Sequence, residues 1–155
     1  MYRNILVATD GSALSGLAVD QAVDLAAALR ARLVIMTVFE PFHLLTTDAE
    51  EIADTEEEYA RHMKHRADGI LAAAAQKAAV RGVEAAQVQV EANLPHEAIV
   101  ATATRHGCDL IVMGSHGHSS LSALVLGSDT LEVLNHSSLP VLVVRAPANA
   151  AASAA

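Results

Sequence analysis

The chain has 155 residues, 52% of them hydrophobic, with no Trp and only two Tyr and two Phe. That length suits one domain with a single substantial core, which Ala, Val, Leu and Ile must fill. A formal charge of −8 at pH 7 argues against nonspecific nucleic-acid binding, which draws its affinity from clustered Lys and Arg; no apolar run reaches the roughly 18 residues that span a bilayer, and no signal peptide precedes the first strand pattern, so a cytoplasmic location is expected.

Residues 4–9 (Asn-Ile-Leu-Val-Ala-Thr) form the first of five short apolar runs. Leu14, Leu17, Ala18, Ala22, Leu25, Ala26 and Leu29 then recur at helical spacing, behind Ser12 as N-cap. The second run is 32–38. A longer helix is predicted from about 49 to 81: its acidic start (Glu50, Glu51, Asp54, Glu56, Glu57, Glu58) suits the positive end of a helix dipole and gives a solvated face, and Gly82 stops it. The third run, 84–90, alternates, with Val88 and Val90 between Gln87, Gln89 and Glu91, the pattern of an edge strand. A helix begins near Pro95, which favours a first helical turn, carries Ile99, Val100 and Ala103, and ends at Gly107. The lone cysteine, Cys108, excludes an intrachain disulfide and a cysteine zinc cage, and its place at the head of the fourth run, 109–113, predicts a core thiol. A fourth helix is predicted from about 128 to 135 with Leu131 and Leu134 inward, followed by the fifth run, 139–144. Residues 146–155 are Ala-rich without apolar periodicity and predict a mobile tail, leaving 1–145 as the domain.

Four of the five runs are nearly continuous in apolar residues, as strands covered on both faces must be. The alternation implies right-handed crossovers and an α/β fold, a single doubly wound domain whose five-stranded, mainly parallel sheet has order 3-2-1-4-5 with helices on both faces. Ligands in such sheets bind beyond the carboxyl ends of strands, where strand order reverses. Two loops meet there: Thr9, Asp10, Gly11 and Ser12, and the stretch that begins at Gly114. The latter spaces Gly114, Gly117, Gly127 and Ser128 as Gly-x2-Gly-x9-Gly-Ser. Glycines let the backbone turn through positive φ and approach an anion, and Ser128 stands where a helix begins and free N–H groups point outward. A tight strand-to-helix turn without a ligand would use the same residue types.

Residues 5–12 (Ile-Leu-Val-Ala-Thr-Asp-Gly-Ser), 113–117 (Met-Gly-Ser-His-Gly) with nine residues to Gly127, and 138–144 (Ser-Leu-Pro-Val-Leu-Val-Val) together resemble the universal stress protein family, over residues 2 to about 145. The glycine spacing is similar to that of the family's ATP-binding branch. The resemblance implies a stress-response protein that binds ATP and works as a nucleotide-dependent regulatory or interaction switch, with slow or no hydrolysis, and that dimerises through its C-terminal strand (Val141 to Val144). Residue by residue, it implies that Asp10 hydrogen-bonds the ribose hydroxyls with Ala8 and Thr9 alongside and that the Val38 backbone meets adenine. It also implies that Met113, Gly114, His116, Gly117, Gly127, Ser128, Asp129 and Thr130 lie on the phosphate side. A carboxylate is suited to accept two ribose hydrogen bonds; capping the turn that follows is the alternative role for Asp10.

The chain departs from the family pattern at several positions. His118 stands where the family often has a basic residue, and an ordinary histidine, with pKa about 6.5, is mostly neutral at pH 7 unless bound phosphate raises it, so binding should strengthen as pH falls. Ser120 replaces a frequent glycine, and Asn93 takes the place of a frequent glycine two residues before Pro95, Asn tolerating the left-handed conformation better than most. The Asp129 carboxylate would repel phosphate unless it forms a capping box with Glu132 or shares a bound Mg²⁺ with the nucleotide. Two further readings stay open: an interaction scaffold of the same fold that binds no nucleotide, and a weak ATPase or phosphotransfer enzyme.

Catalytic and metal motifs are sparse. The loop lacks the Gly-Lys-Ser/Thr ending of the common NTPase P-loop, and no Lys lies between Gly114 and Ala155 to neutralise a β/γ-phosphate. No serine nucleophile elbow is present either, so no catalytic residue is assigned and efficient turnover is not expected. His116 with His118, and His62 with His65, are metal-like pairs that each lack a third ligand; His96-Glu97 resembles the start of a zinc-protease helix, but Val100 stands where the second histidine is required. No metal site is expected.

Overall fold

Successive residues of a strand face opposite sides of its sheet, and in β1 (Asn4–Ala8) both sides are apolar: Ile5 and Val7 enter one cluster, Leu6 another. A strand buried on both faces needs helices on both. The structure, a computed structural model, describes residues 1–42, 49–116 and 126–147, with the backbone alone for 49–55. In it α1 (Ala13–Leu29) and α2 (Ala49–Val80) cover the first cluster, and α3 (Pro95–Arg105) and α4 (Ser128–His136) the second. With β2 (Arg32–Phe39), β3 (Ala85–Glu91), β4 (Leu110–Gly114) and β5 (Val141–Val144), the strands pair in the order β3-β2-β1-β4-β5, every pairing parallel. The expected order is therefore found, and the sheet is wholly parallel. Burying an Ile, Leu or Val side chain is worth about 1.5–3 kcal/mol, and Ile5, Leu6, Val7, Ile35, Ile111 and Val112, all at 0% exposure, anchor its three central strands.

Polar groups fix where the elements begin and end. At the amino end of the sheet the Asp109 carboxylate accepts the Arg3 and Asn4 N–H groups at 2.8 and 3.1 Å, and the Asn4 amide donates to the His106 carbonyl at 2.6 Å. Ser12 caps α1, its hydroxyl accepting the Ser15 N–H at 3.2 Å. The other end of α1 is closed by Arg30, which adopts φ 57° and donates its N–H to the Ala26 carbonyl. That left-handed turn usually belongs to Gly, because a Cβ there costs about 1–2 kcal/mol.

Two expectations about helix faces need correction. On α1 the inward stripe is Leu14, Ala18, Ala22 and Ala26 together with Val19 and Val23, whereas Leu17 is 38% exposed. On α4 the buried residues are Thr130 and Val133; Leu131 and Leu134 are 43% and 41% exposed. The physical reason on α4 is that Thr130 donates its hydroxyl to the Gly114 carbonyl at 3.0 Å, so a satisfied polar side chain holds an inward position that apolar spacing assigns to leucine. Asn93 also has an ordinary φ, since Arg30 is the one non-glycine residue at positive φ among the described residues. Among those residues no helix is long and apolar enough to cross a membrane, and most of the predicted tail, 148–155, lies outside them.

Cys108 is the expected core thiol, 6% exposed, and burial, followed by the Asp109 carboxylate, pushes its pKa up to about 11. The native state thus prefers the protonated thiol: this contribution to stability is whole below the unfolded pKa of about 9 and is lost as pH rises toward 11. Two outcomes follow. In the native protein at pH 8, Cys108 should react with a thiol reagent about a hundredfold or more slower than in the urea-unfolded chain. Arg30→Gly should raise unfolding stability in a denaturant titration by up to about 1 kcal/mol, relief of the left-handed strain outweighing the added entropy of the unfolded glycine.

Candidate functional site

The parallel order sets the carboxyl ends of β1 and β4 side by side, with α1 on one face of the sheet and α4 on the other. A crevice opens at this switch point. It holds a cavity of about 150 Å³ whose apolar walls are Met36 and Val38 of β2, Met113 of β4, and Pro95 and Ile99 of α3. Its polar lining comes from Thr9 and Asp10 beyond β1, His116 beyond β4, and Asp129 in the first turn of α4.

The loop after β1 is built by its own side chains. The Thr9 N–H donates to the Met36 carbonyl at 2.9 Å, extending the sheet pairing, while the Thr9 hydroxyl lies 2.9 Å from that of Ser15 and accepts the Gly11 N–H at 3.2 Å. One Asp10 carboxylate oxygen accepts the Ser12 N–H at 3.0 Å, and the same side chain lines the cavity. Asp10 therefore orders the turn while still facing the pocket. Gly11 is required twice over: its φ is +78°, and a Cβ there would lie 2.9 Å from Ile70 of α2.

Beyond β4 the backbone is drawn tight. Ser115 donates its N–H to the Val144 carbonyl at 2.8 Å, and its own carbonyl accepts the Gly127 N–H at 2.7 Å. Gly127 has φ −62°, and a Cβ on it would sit 3.1 Å from the His116 Cα. Among the described residues the positive-φ glycines are Gly11, Gly82 and Gly107, so Gly114 and Gly127 serve close approach and not the left-handed turn expected of them. Gly127 is the N-cap of α4 and has no side chain to give. Ser128, Asp129 and Thr130 follow as the first helical residues, whose N–H groups have no helical carbonyl to meet. The N-cap is Gly127 and not Asp129, so Asp129 and Glu132 both stand two residues too far into the helix to form the expected capping box.

The structure thus gathers Ala8, Thr9, Asp10, Val38, Met113, Gly114, His116, Asp129 and Thr130 around one cavity, with Gly127 and Ser128 beside it at the start of α4. Gly117 and His118 lie outside the described residues. The cavity also takes in Ser15, Met36, Pro95 and Ile99, which sequence reasoning did not assign to it. Met36 was accessible by strand periodicity, being two residues before Val38 on the same face. Ser15 carried no such signal. The Asp129 carboxyl is held above the usual carboxylate range, chiefly by burial and further by the charges of Glu40 and Glu132, with His96 opposing them.

A sequence model of the universal stress protein family matches residues 1–145, and the chain belongs to that family. It is 36% identical over 149 residues to universal stress protein YxiE of Bacillus subtilis, covering 94% of this chain and all of the relative. Over 52 residues, 34% of this chain and 32% of the relative, it is 50% identical to universal stress protein MJ0577 of Methanocaldococcus jannaschii. The solved structure of MJ0577 superimposes with a TM-score of 0.77 at 27% identity, over 95% of this chain and 98% of that one. A universal stress protein solved in complex with cAMP superimposes with a TM-score of 0.68 at 30% identity, over 94% and 99%.

Because the native state disfavours the Asp129 carboxylate, Asp129→Asn should stabilise the protein at neutral pH, by about 1–2 °C in Tm, given how much solvent screens the group. The sign follows from a native pKa above the unfolded one: the protonated form is the favoured native form, so the advantage of Asn should shrink as pH falls and vanish near pH 3.8. Thermal melts of both proteins between pH 4 and pH 7.5 measure it.

Proposed function

We propose that this chain binds an adenine nucleotide in the switch-point cavity, ATP together with Mg²⁺, as a member of the ATP-binding branch of its family. Occupancy, not turnover, is its output: a nucleotide that prefers one conformation shifts the population by its differential affinity, and partners read the result. The observation that carries this reading is the placement of the Asp10 carboxylate and the open N-terminus of α4 on the same cavity, above a floor made by Met36, Val38 and Ile99. An apolar floor accommodates a base, a carboxylate accepts hydrogen bonds from ribose hydroxyls, and helix N–H groups donate to phosphate oxygens. A relative of 30% identity in complex with cAMP supports the ligand class. Mg²⁺ accounts for Asp129, which with Glu40 nearby would otherwise oppose the phosphates.

The crowding of Asp129, Glu40 and Glu132 is also what favours the second reading, a scaffold of the same fold that holds no nucleotide. Gentle denaturation of freshly purified protein followed by mass spectrometry separates the two, since co-purified adenine nucleotide supports the binder and its absence, with no ATP binding by calorimetry in millimolar Mg²⁺, supports the scaffold. In calorimetry Asp10→Ala should weaken ATP binding about 10- to 100-fold, the loss expected for charge-assisted hydrogen bonds. Removing Mg²⁺ should weaken the wild type far more than Asp129→Asn.

Self-association through β5 belongs to the same reading. β5 is an edge strand, and Leu142 on it is 39% exposed. An apolar edge invites pairing with a second copy. Sedimentation at micromolar concentration should give a dimer for the wild type and a monomer for Leu142→Lys; a wild-type monomer would count against it.

A further inference from the structure

α3 and α4 pack beside the cavity and bring together three side chains that the sequence keeps far apart. His96 is the second residue of α3, and Glu132 and His136 stand one turn apart on α4. One ligand atom from each lies within 4.8 Å of the other two. We propose that His96, Glu132 and His136 form a binding site for a divalent transition-metal ion of the zinc class, adjoining the nucleotide cavity but separate from it.

The donor set selects the ion class. Two imidazoles and a carboxylate suit Zn²⁺ and its neighbours, whereas Mg²⁺ and Ca²⁺ take oxygen ligands. His136 is also oriented for the task. Its Nδ1 lies 2.8 Å from the Glu132 carbonyl oxygen, which can only accept, so in the neutral ring the proton is on Nδ1 and the lone pair on Nε2. A backbone carbonyl that fixes the tautomer in this way is the usual outer-shell partner of a metal-binding histidine. The His96 and His136 rings face each other with centroids 5.5 Å apart and planes 34° apart, and the Glu132 carboxylate reaches to 3.3 Å from His136 Nδ1. Two ligands on a tetrahedral zinc at about 2.0–2.1 Å lie about 3.4 Å apart. In the ion-free protein the Glu132 carboxylate lies at the Nδ1 edge of His136, so loading requires the 44%-exposed Glu132 side chain to turn toward the Nε2 edge. Three protein ligands leave a fourth position for water or an exogenous donor.

The position gives the ion a consequence. Pro95 and Ile99, on either side of His96, line the cavity, and Asp129 lies one helical turn before Glu132. A bound dication would clamp α3 to α4 and set positive charge beside the Asp129 carboxylate. The site does not depend on the nucleotide reading, so it is tested with the metal alone. Full-length, untagged protein, stripped with chelator and free of nucleotide, is titrated with Zn²⁺ against a competing chromophore and by thermal melting. One equivalent should bind and raise Tm, with affinity at least about tenfold weaker in His136→Ala and in Glu132→Gln. His62→Ala/His65→Ala on α2 should leave both readouts unchanged. Co²⁺ should give a visible ligand-field band that His136→Ala abolishes. The proposal is overturned if no saturable binding occurs below about 100 μM Zn²⁺, or if His136→Ala and Glu132→Gln bind as the wild type does. Because His136 is exposed, its substitution tests the site without threatening the fold.

Discussion

Everything about this site depends on one constraint: parallel strands can be joined only by crossovers, and crossovers of one hand. The chain winds outward from β1 in one direction to make β2 and β3, then returns past β1 to make β4 and β5. Its first two helices therefore cover one face and its last two the other. Between β1 and β4 the flanking helices diverge, and no side chain needs to hollow out the crevice. Topology opens it, and the residues after Ala8 and Gly114 decide what it can hold.

Two kinds of glycine serve that crevice. Gly11 is needed for its own backbone angle and for the space that Ile70 of α2 leaves it. Gly127 has the backbone of any residue and is needed because His116 lies against it. The anion-binding spacing includes Gly127 and leaves out Gly11, and it encodes neither physical requirement. The anion side is correspondingly unusual: the helix that offers N–H groups also carries Asp129, whose charge burial and neighbouring carboxylates oppose. On the reading proposed above, the pocket would suit an anion that arrives with its own counter-charge.

How much of this was legible in the sequence follows from the nature of each signal. Strand identity and order were legible because both faces of the central strands are apolar and because crossover handedness leaves few alternatives; Ile5, Leu6 and Val7 carry that information locally. The cavity wall from Ala8 to Asp10 and from Met113 to His116 was legible through strand ends. The inward face of α4 was not, because Thr130 is buried by a single hydrogen bond to Gly114 that no hydrophobic pattern encodes. The meeting of His96 with Glu132 and His136 was equally hidden: pairs one turn apart are visible along one helix, and partners on two helices become neighbours only after the sheet is wound.

The hydrogen bond from Ser115 to the Val144 carbonyl joins the first residue beyond β4 to the last residue of the edge strand. Ser115 is held from its other side by Gly127, at the mouth of α4. The pocket wall and the outermost strand are thus joined through a single hydrogen bond. An occupant that displaced residue 115 would therefore act on the register of β5 through this one bond. Linkage would then run both ways: whatever gripped β5 from outside would alter the grip of the pocket by the same factor.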